Sequence, residues 1–384
     1  DMVYNRVMNF SEEALKKHKQ LKGKISISLK DKLDTKDKLS TYYTPGVAAV
    51  SSYVASHPNE ARDYTWLNNS VAVISDGSAV LGLGDIGPLG ALPVMEGKAM
   101  LFKHFAGIDA VPIVLNVHSA DEIVAAVTAI APSFGGINLE DIAAPICFEV
   151  EERVKKALDI PVMHDDQHGT AIVVLAGLIN AMKVTKRELK DCRIVVVGAG
   201  AAGTAIMKLL NLYVNPEILA VDSTGIISKT REDLNDDKKR LLDFSNKRNI
   251  SGSLQDALYE ADIFIGVSKS GLLTADMVKT MAKNPVIFAM ANPTPEIMPD
   301  VAITAGAAVV ATGRSDFPNQ VNNALAFPGI FRGALDNRVN KITDEHKIAA
   351  AQAIAGLVAR PTAEKIIPSV LDKRLVPAIA KIIV

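Results

Sequence analysis

The sequence predicts an α/β protein: an N-terminal α/β module followed by a doubly wound parallel-sheet domain, with C-terminal helices. Three observations carry this reading. From residue 160 onward, short apolar runs alternate with helical stretches, the rhythm of a parallel sheet with helices on both faces. One such run, Val195-Val196-Val197, leads straight into Gly198-Ala199-Gly200-Ala201-Ala202-Gly203 and then the helical pattern TAIMKLLN, a Rossmann-like strand, turn and helix. The stretch from Asp344 is mostly helical, with Pro361 and Pro368 breaking it into pieces. The change of rhythm sets a boundary near residue 160, dividing residues 1–160 from 161–384.

In chain order, residues 11–39 are rich in lysine, interspersed with Glu12, Glu13, Asp31, Asp34 and Asp37, and read as a solvated surface. Residues 71–75, the turn Asp76-Gly77 and residues 79–83 read as a β-hairpin. Residues 110–117 form a short β-rich run, and Ser119 with Glu122 makes a capping box that opens the helix pattern EIVAAVTAIA. A short strand at 161–163 precedes a helix over 170–182. The next strand, 193–197, runs through the glycine turn into a helix ending near Asn211. Further strands are expected at 218–221, 263–267, 286–290 and 307–311. There is no internal repeat and no low-complexity tract.

Composition narrows the function. The 384 residues, 48% hydrophobic, suffice for two or three packed domains. With 42 basic and 43 acidic residues the net charge is −1, which gives no electrostatic case for nucleic acid or an anionic membrane. Only Cys147 and Cys192 are present, excluding a disulfide framework and cysteine-rich zinc modules and suiting a reducing, cytoplasmic setting. The start, DMVYNRVMNF, lacks the pattern of a secretory leader, and the apolar stretch 171–181 is too short to span a bilayer.

The glycine turn points to a dinucleotide. Gly198 permits the tight turn, Gly200 lets the backbone approach a pyrophosphate, and Gly203 allows the helix to pack on the strand. The pyrophosphate would rest on free N–H groups at the helix N-terminus. Asp222 ends the next strand about two dozen residues on, where a carboxylate accepts hydrogen bonds from the adenine ribose. Asp222 and the third glycine favour NAD, while Lys229 or Ser223 offers a place for the 2′-phosphate of NADP.

Five other segments go beyond a generic dinucleotide fold: Tyr42-Tyr43-Thr44-Pro45-Gly46-Val47, LGLGDIG at 81–87, Glu96-Gly97-Lys98, Leu139-Glu140-Asp141-Ile142, and HDDQHGT at 164–170. The pairs Glu140-Asp141 and Asp165-Asp166 can supply three hard oxygen ligands for Mg²⁺ or Mn²⁺ and leave one carboxylate over. Taken singly, either pair reads as helix caps or surface salt bridges, Lys98 as a snorkelling lysine, and Tyr43 as a packing aromatic. His164 and His168 straddle a strand-to-helix junction, which suits structural or capping roles, and Cys147 reads as a buried apolar residue.

With these motifs in order, the chain resembles the malic enzymes of the compact bacterial kind, from the YTP motif at Tyr43 to Phe327-Pro328-Gly329. The resemblance implies oxidative decarboxylation of L-malate to pyruvate and CO₂ with NAD(P)⁺ and a divalent metal, oxaloacetate decarboxylation, and a homodimer. It assigns Tyr43 as general acid, Lys98 as general base that also touches substrate, and Asp165 as the acid associated with that base. Glu140, Asp141 and Asp166 become metal ligands, residues 198–203 (Gly198, Ala199, Gly200, Ala201, Ala202, Gly203) the cofactor turn, and Asn292 and Asn322 contacts to substrate or nicotinamide. Larger members carry an arginine in the segment matching DGSAVLGLGD, where this chain has Ala79; Arg314 is then the cation expected to grip the malate carboxylate. Lysine serves as base only if desolvation and a metal pull its pKa far below the usual value. The alternatives are a malolactic enzyme making lactate with bound NAD, another Rossmann dehydrogenase such as one for amino acids, and a non-catalytic NAD-binding sensor.

Overall fold

The computed structural model describes residues 2–80 and 82–384. Two parallel sheets organise them. The first, in order β2-β1-β3-β4, is built from β1 (Ser70–Ser75), β2 (Asp109–Val114), β3 (Gly136–Leu139) and β4 (Val162–His164). The second runs β10-β9-β8-β5-β6-β7, from β5 (Arg193–Val197), β6 (Glu217–Asp222), β7 (Gly225–Ile226), β8 (Ile263–Gly266), β9 (Val286–Ala289) and β10 (Val309–Thr312). Only β7 is antiparallel in the second sheet. Strands β6 and β8 flank β5 on opposite sides, so the chain reverses its winding there, and the glycine turn leaves β5 at that switch point.

The helix Asp165–Thr185 holds the two sheets together. It is apolar almost all round, and Ile172, Leu175 and Leu178 are fully buried in one core with Val71 and Val73 of β1 and Ile194 and Val196 of β5. It starts at Asp165 rather than near residue 170, because the two acids occupy its first turn, where the exposed N–H groups favour negative charge. At 21 residues it is long and apolar enough to cross a membrane, unlike the shorter stretch read from the sequence, and 67% of its most apolar window is buried inside the fold. The C-terminal helix Phe327–Asp336 returns to the first sheet, setting Phe327 tilted and Phe331 edge-on against Phe102 at ring distances of 4.6 and 5.4 Å.

Two sequence expectations need correcting. Residues 71–75 do form a strand, but Asp76-Gly77 does not fold it back into a hairpin. Both edges of β1 are taken, by β2 and β3, and all six of its residues are buried, as in a central parallel strand. In the proposed return strand, 79–83, Val80 only bridges to Gly84, and Leu81 lies outside the described residues. Conversely, β3 gives little sequence signal: it is four residues long, and buried Asn138 interrupts its apolar pattern. The capping box at Ser119 and Glu122 is present, and strands near 193, 218, 263, 286 and 309 fall within two residues of their predicted starts.

The buried helix is tied to the C-terminal segments by one polar side chain. Asn180 is fully buried, and its Nδ2 donates to the carbonyls of Ala355 and Ile366, both at 2.9 Å. Replacing Asn180 by leucine leaves the Ile366 carbonyl without this donor and the Ala355 carbonyl with only the N–H of Val358, at 3.2 Å. We expect Asn180→Leu to lower stability by about 1–3 kcal/mol in urea denaturation; an unchanged midpoint would show that these bonds contribute nothing.

Candidate active site

The carboxyl ends of β3 and β4 lie side by side, with Leu139 paired to His164. That register delivers Glu140 and Asp141, which follow β3, next to Asp165 and Asp166, which follow β4. The helix Gly87–Ala106 lays Lys98 across them: its Nζ is 2.5 Å from Asp165 Oδ2 and 2.7 Å from Glu140 Oε1. Lys98 is only 7% exposed, and its ammonium also lies 4.3 Å from the centre of the Phe327 ring. Glu140 accepts a second bond from Asn138 Nδ2 at 2.9 Å. Asp166 Oδ2 accepts the backbone N–H of Asp141 at 2.7 Å, tying the two acidic segments together.

Oxygen atoms of Glu140, Asp141 and Asp166 all lie within 4.8 Å of one another. Opposite ligands of an octahedral Mg²⁺ or Mn²⁺ sit about 4.2 Å apart, so modest inward shifts close the trio on such an ion. The donor chemistry fits as well, being all hard oxygen. Charge balance points the same way: Glu140, Asp165 and Asp166 share the one ammonium of Lys98. Burial raises the pKa of all three; Lys98 pulls each back, and repulsion from neighbouring acids adds to the rise.

Lys98 departs from the expectation of a depressed pKa. Burial does lower it, but the charges of Asp165, Glu140 and Asp166 outweigh burial, and the net direction is upward. With these carboxylates ionised, Lys98 is held as an ammonium.

The remaining expected residues divide. Tyr43 follows the helix Lys36–Tyr42 and is 67% exposed, its hydroxyl without a hydrogen bond among the described residues. Asn292 sits where three loops meet: a Cβ on Gly82 would lie 3.1 Å from its carbonyl oxygen, and one on Gly313 3.1 Å from its Nδ2. Asn322 spends its side chain on a cap, accepting the N–H of Ala324 at 2.8 Å. Its neighbour Asn323 instead abuts Gly169, one turn after Asp165. Arg314 is not a spare cation: it forks onto Asp316 and donates to the carbonyl of Pro293 at 3.1 Å. Ala79 donates its N–H to Asp141, so the segment lacking an arginine still braces the acidic loop.

At the glycine turn the sequence reading and the backbone agree. A Cβ on Gly198, whose φ is +114°, would meet Val267 O at 2.7 Å, and one on Gly203 would meet Gly198 O at 1.7 Å, whereas Gly200 faces open space. Packing therefore requires the first and third glycines, and the second leaves room for a ligand. Asp222 differs from its expected role. Oδ1 accepts from Thr224 N–H and Arg231, and Oδ2 from Arg231 and Lys238, at 2.6–3.1 Å. These donors fill its roughly four acceptor positions, so no capacity remains for ribose hydroxyls in this arrangement. Burial raises its pKa, yet Arg231 and Lys238 pull it down to about 2.

Three supporting residues escape a reading of motifs. Gly169 is needed because a Cβ there would sit 2.0 Å from Asp165 Oδ1; glycine four residues after an acid in the first turn of a helix was the available signal. Ser78 Oγ accepts the N–H of Ala143 and donates to Asp76, stitching the 76–79 turn to the acidic loop. Glu151 is buried behind the strand-to-helix junction, accepting the backbone N–H of His164 at 3.0 Å and lying 2.8 Å from His168 Nε2. The His168 ring is thus held at the junction by Glu151, whereas His164 gives only its backbone N–H and its buried ring nitrogens have no hydrogen-bond partner among the described residues; both cysteines are free and buried.

Comparison with known proteins bears on these sites. Residues 22–155 match the family model for the malic enzyme N-terminal domain, and 167–382 that for the malic enzyme NAD binding domain. The chain is 55% identical over 377 residues to a bifunctional malic/malolactic enzyme of Bacillus subtilis, covering 97% of this chain and 92% of that one. It is 51% identical to an NAD-dependent malic enzyme of Geobacillus stearothermophilus, covering 99% and 79%. The crystal structure of an NAD-dependent malic enzyme from Thermotoga maritima superposes with a TM-score of 0.93 at 48% identity, covering 96% of this chain and 98% of that one.

Burial lowers the pKa of His168 to about 4, below the roughly 6.5 of an unfolded imidazole. Between those values the unfolded chain binds a proton that the native ring refuses. Native stability is therefore present above pH 6.5 and lost as pH falls toward 4. We expect about 2 kcal/mol less stability at pH 5 than at pH 7 from this ring, and a shallower decline in His168→Gln. Equal urea midpoints for the parent chain at both pH values would contradict the burial argument.

Proposed function

This chain belongs to the malic enzyme family, and on that premise we propose that it oxidises L-malate with NAD(P)⁺ and releases CO₂ and pyruvate. The observation that carries the reading is the buried Lys98 ammonium, bonded to Asp165 and Glu140 beside a trio of carboxylate oxygens. When bound, the nicotinamide supplies a hydride acceptor, and Mg²⁺ or Mn²⁺ held by Glu140, Asp141 and Asp166 supplies a Lewis acid at the 2-hydroxyl and carboxylate of malate.

The side chains of the protein do the rest. Lys98 has to be neutral to take the C2 hydroxyl proton, and Asp165, 2.5 Å away with its own pKa raised by burial, is placed to receive the ammonium proton first. Phe327 and the buried flank of Lys98 exclude water from that transfer. After CO₂ leaves, Tyr43 donates a proton to C3 and so converts enolpyruvate to pyruvate. Gly198, Gly200 and Gly203, with the N-terminal amides of the helix Ala201–Val214, would cradle the pyrophosphate, and Asn292, with Asn322 once freed from its cap on Ala324, would contact substrate or nicotinamide. The saturated Asp222 does not select against a 2′-phosphate, so either dinucleotide is admitted. The domain division near residue 160 then separates Lys98 and two metal ligands from Asp165, Asp166 and the cofactor turn, and the site closes between them.

We assign the chain to a cytoplasmic homodimer. The helix Val47–Ser56, VAAVSSYVAS, buries none of its residues within the chain, and Tyr42, Tyr43, Val50 and Tyr53 stand exposed around it. A second copy covering this face brings Tyr43 against a Lys98 site. A second outcome also has support: the relative named a malic/malolactic enzyme shares more than half its residues with this chain, and retaining the reduced cofactor to reduce pyruvate would give lactate.

Mixing malate, NAD⁺ or NADP⁺ and Mn²⁺ is expected to produce reduced-cofactor absorbance that a chelator abolishes. Lactate without free NADH would assign the malolactic outcome instead, and chelator-insensitive turnover would contradict the metal role. Lys98→Ala should lower kcat by about 10²–10⁴ with little change in cofactor affinity. Tyr43→Phe should slow ketonisation of enolpyruvate more than hydride transfer; if ketonisation kept its full rate, Tyr43 would not be the acid. Mixed Lys98→Ala and Tyr43→Phe subunits should regain activity if each site draws Tyr43 from the other copy, and stay inactive if it does not.

A further inference from the structure

Behind the acidic junction lies a cavity of about 560 Å³. It is bounded by the helix Ile146–Ala157, the first turns of Asp165–Thr185, the helix Ala201–Val214, and the start of Asp344–Gly356. Neither the proposed reaction nor the dinucleotide turn uses it.

Its charges do not balance. Lys155 pairs with Glu151 at 2.6 Å and Lys347 with Asp344 at 2.8 Å, while Glu152 turns out to Lys156 at 2.8 Å. That leaves Lys208, 3.9 Å from an Asp344 already held by Lys347, and Lys341, which has no acid beside it among the described residues. Over the whole lining, four lysines stand against Glu151, Glu152 and Asp344, a net charge of about +1, and Lys208 and Lys341 are the least held by acids. Lys347 is 5% exposed, and burial, with the neighbouring Lys155, lowers its pKa although Asp344 and Glu151 pull it back up.

A second observation is independent of charge. Gln167 also lines the cavity, is 5% exposed, and its Nε2 finds no acceptor among the described residues. A buried amide donor left unmade costs about 1–3 kcal/mol, so native structures supply it with an acceptor. An anionic oxygen from a bound molecule meets both needs, and about 560 Å³ accommodates a small metabolite.

We propose that this cavity is an effector site for a small dianion, recognised through its paired acidic oxygens by Lys208, Lys341, Lys347 and Gln167. Occupancy reaches the catalytic acids by two short routes. Gln167 follows Asp166 directly, and Glu151, shared between Lys155 in the cavity wall and the backbone of His164, anchors the strand that carries Asp165. An anion that draws Lys155 away from Glu151 alters the support of that strand.

Phosphate monoesters and dicarboxylates share this chemistry, and the test separates them. Inorganic phosphate and succinate are titrated calorimetrically into the full chain saturated with NAD⁺, and into a Lys208→Ala/Lys341→Ala variant. Both replaced lysines are surface residues outside the catalytic set, so malate turnover without anion should be unchanged. We expect at least tenfold weaker binding of the preferred anion in the variant, and loss of its effect on malate turnover. Tighter phosphate assigns a phosphate-bearing effector and tighter succinate a dicarboxylate. Equal affinity in both proteins, binding of neither anion, or binding that leaves turnover unchanged would overturn the proposal. Lys347→Met is a second variant, checked for folding by its urea midpoint, and should weaken binding likewise. Failure to bind NAD⁺ would count against the proposed reaction and leave the anion titration readable.

Discussion

One buried ammonium among carboxylates is the interaction on which the rest depends. Acids that follow adjacent strands repel one another, and burial removes the water that would screen them. The β3–β4 register brings Glu140 and Asp165 close enough for Lys98 to touch both. Removing the lysine would leave charged acids buried and unpaired. Removing the acids would leave an ammonium pressed against Phe327 with its donors idle. Each group is therefore tolerable only because of the others, and an arrangement this costly to bury is characteristic of reacting groups more than of packing.

The surrounding structure keeps that arrangement rigid. The helix Asp165–Thr185 begins with the two acids and runs through the core shared by both sheets, so one continuous element joins the dinucleotide fold to the acidic cluster. Gly169 clears space for Asp165, Ser78 ties the 76–79 turn to the 141–143 loop, and Glu151 braces the junction from behind. None of these contacts would perform chemistry, yet displacement of Asp165 by an ångström would part it from Lys98.

Much of this was legible in the sequence, for physical reasons. The glycine turn could be read because packing demands Gly198 and Gly203 wherever the helix returns so closely to the strand. The carboxylate set could be read because acids at strand ends are adjacent pairs. What failed was the reading of single residues whose partners are distant in sequence. A hairpin at 71–83 is locally plausible, and only the pairing of β1 on both edges excludes it. Asp222 looked free to bind a ribose until Arg231 and Lys238, nine and sixteen residues on, closed over it. The sequence reading required a lowered pKa for Lys98 to act as base and placed Asp165 beside it, but it gave Glu140 only as a metal ligand, and that second acid is part of what holds the ammonium. Tyr43 is the residue least determined by the single chain, since the face it stands on is exposed there.

Calorimetric titration of Mn²⁺ into the full chain, in two buffers of different protonation enthalpy near pH 6.5, shows whether Glu140, Asp141 and Asp166 hold a metal. We expect one ion per chain, protons released as the raised carboxylates ionise fully, and at least tenfold weaker binding in both Glu140→Gln and Asp166→Asn. The same affinity and proton count in both variants would mean that these buried acids form a structural cluster, with no metal held between them.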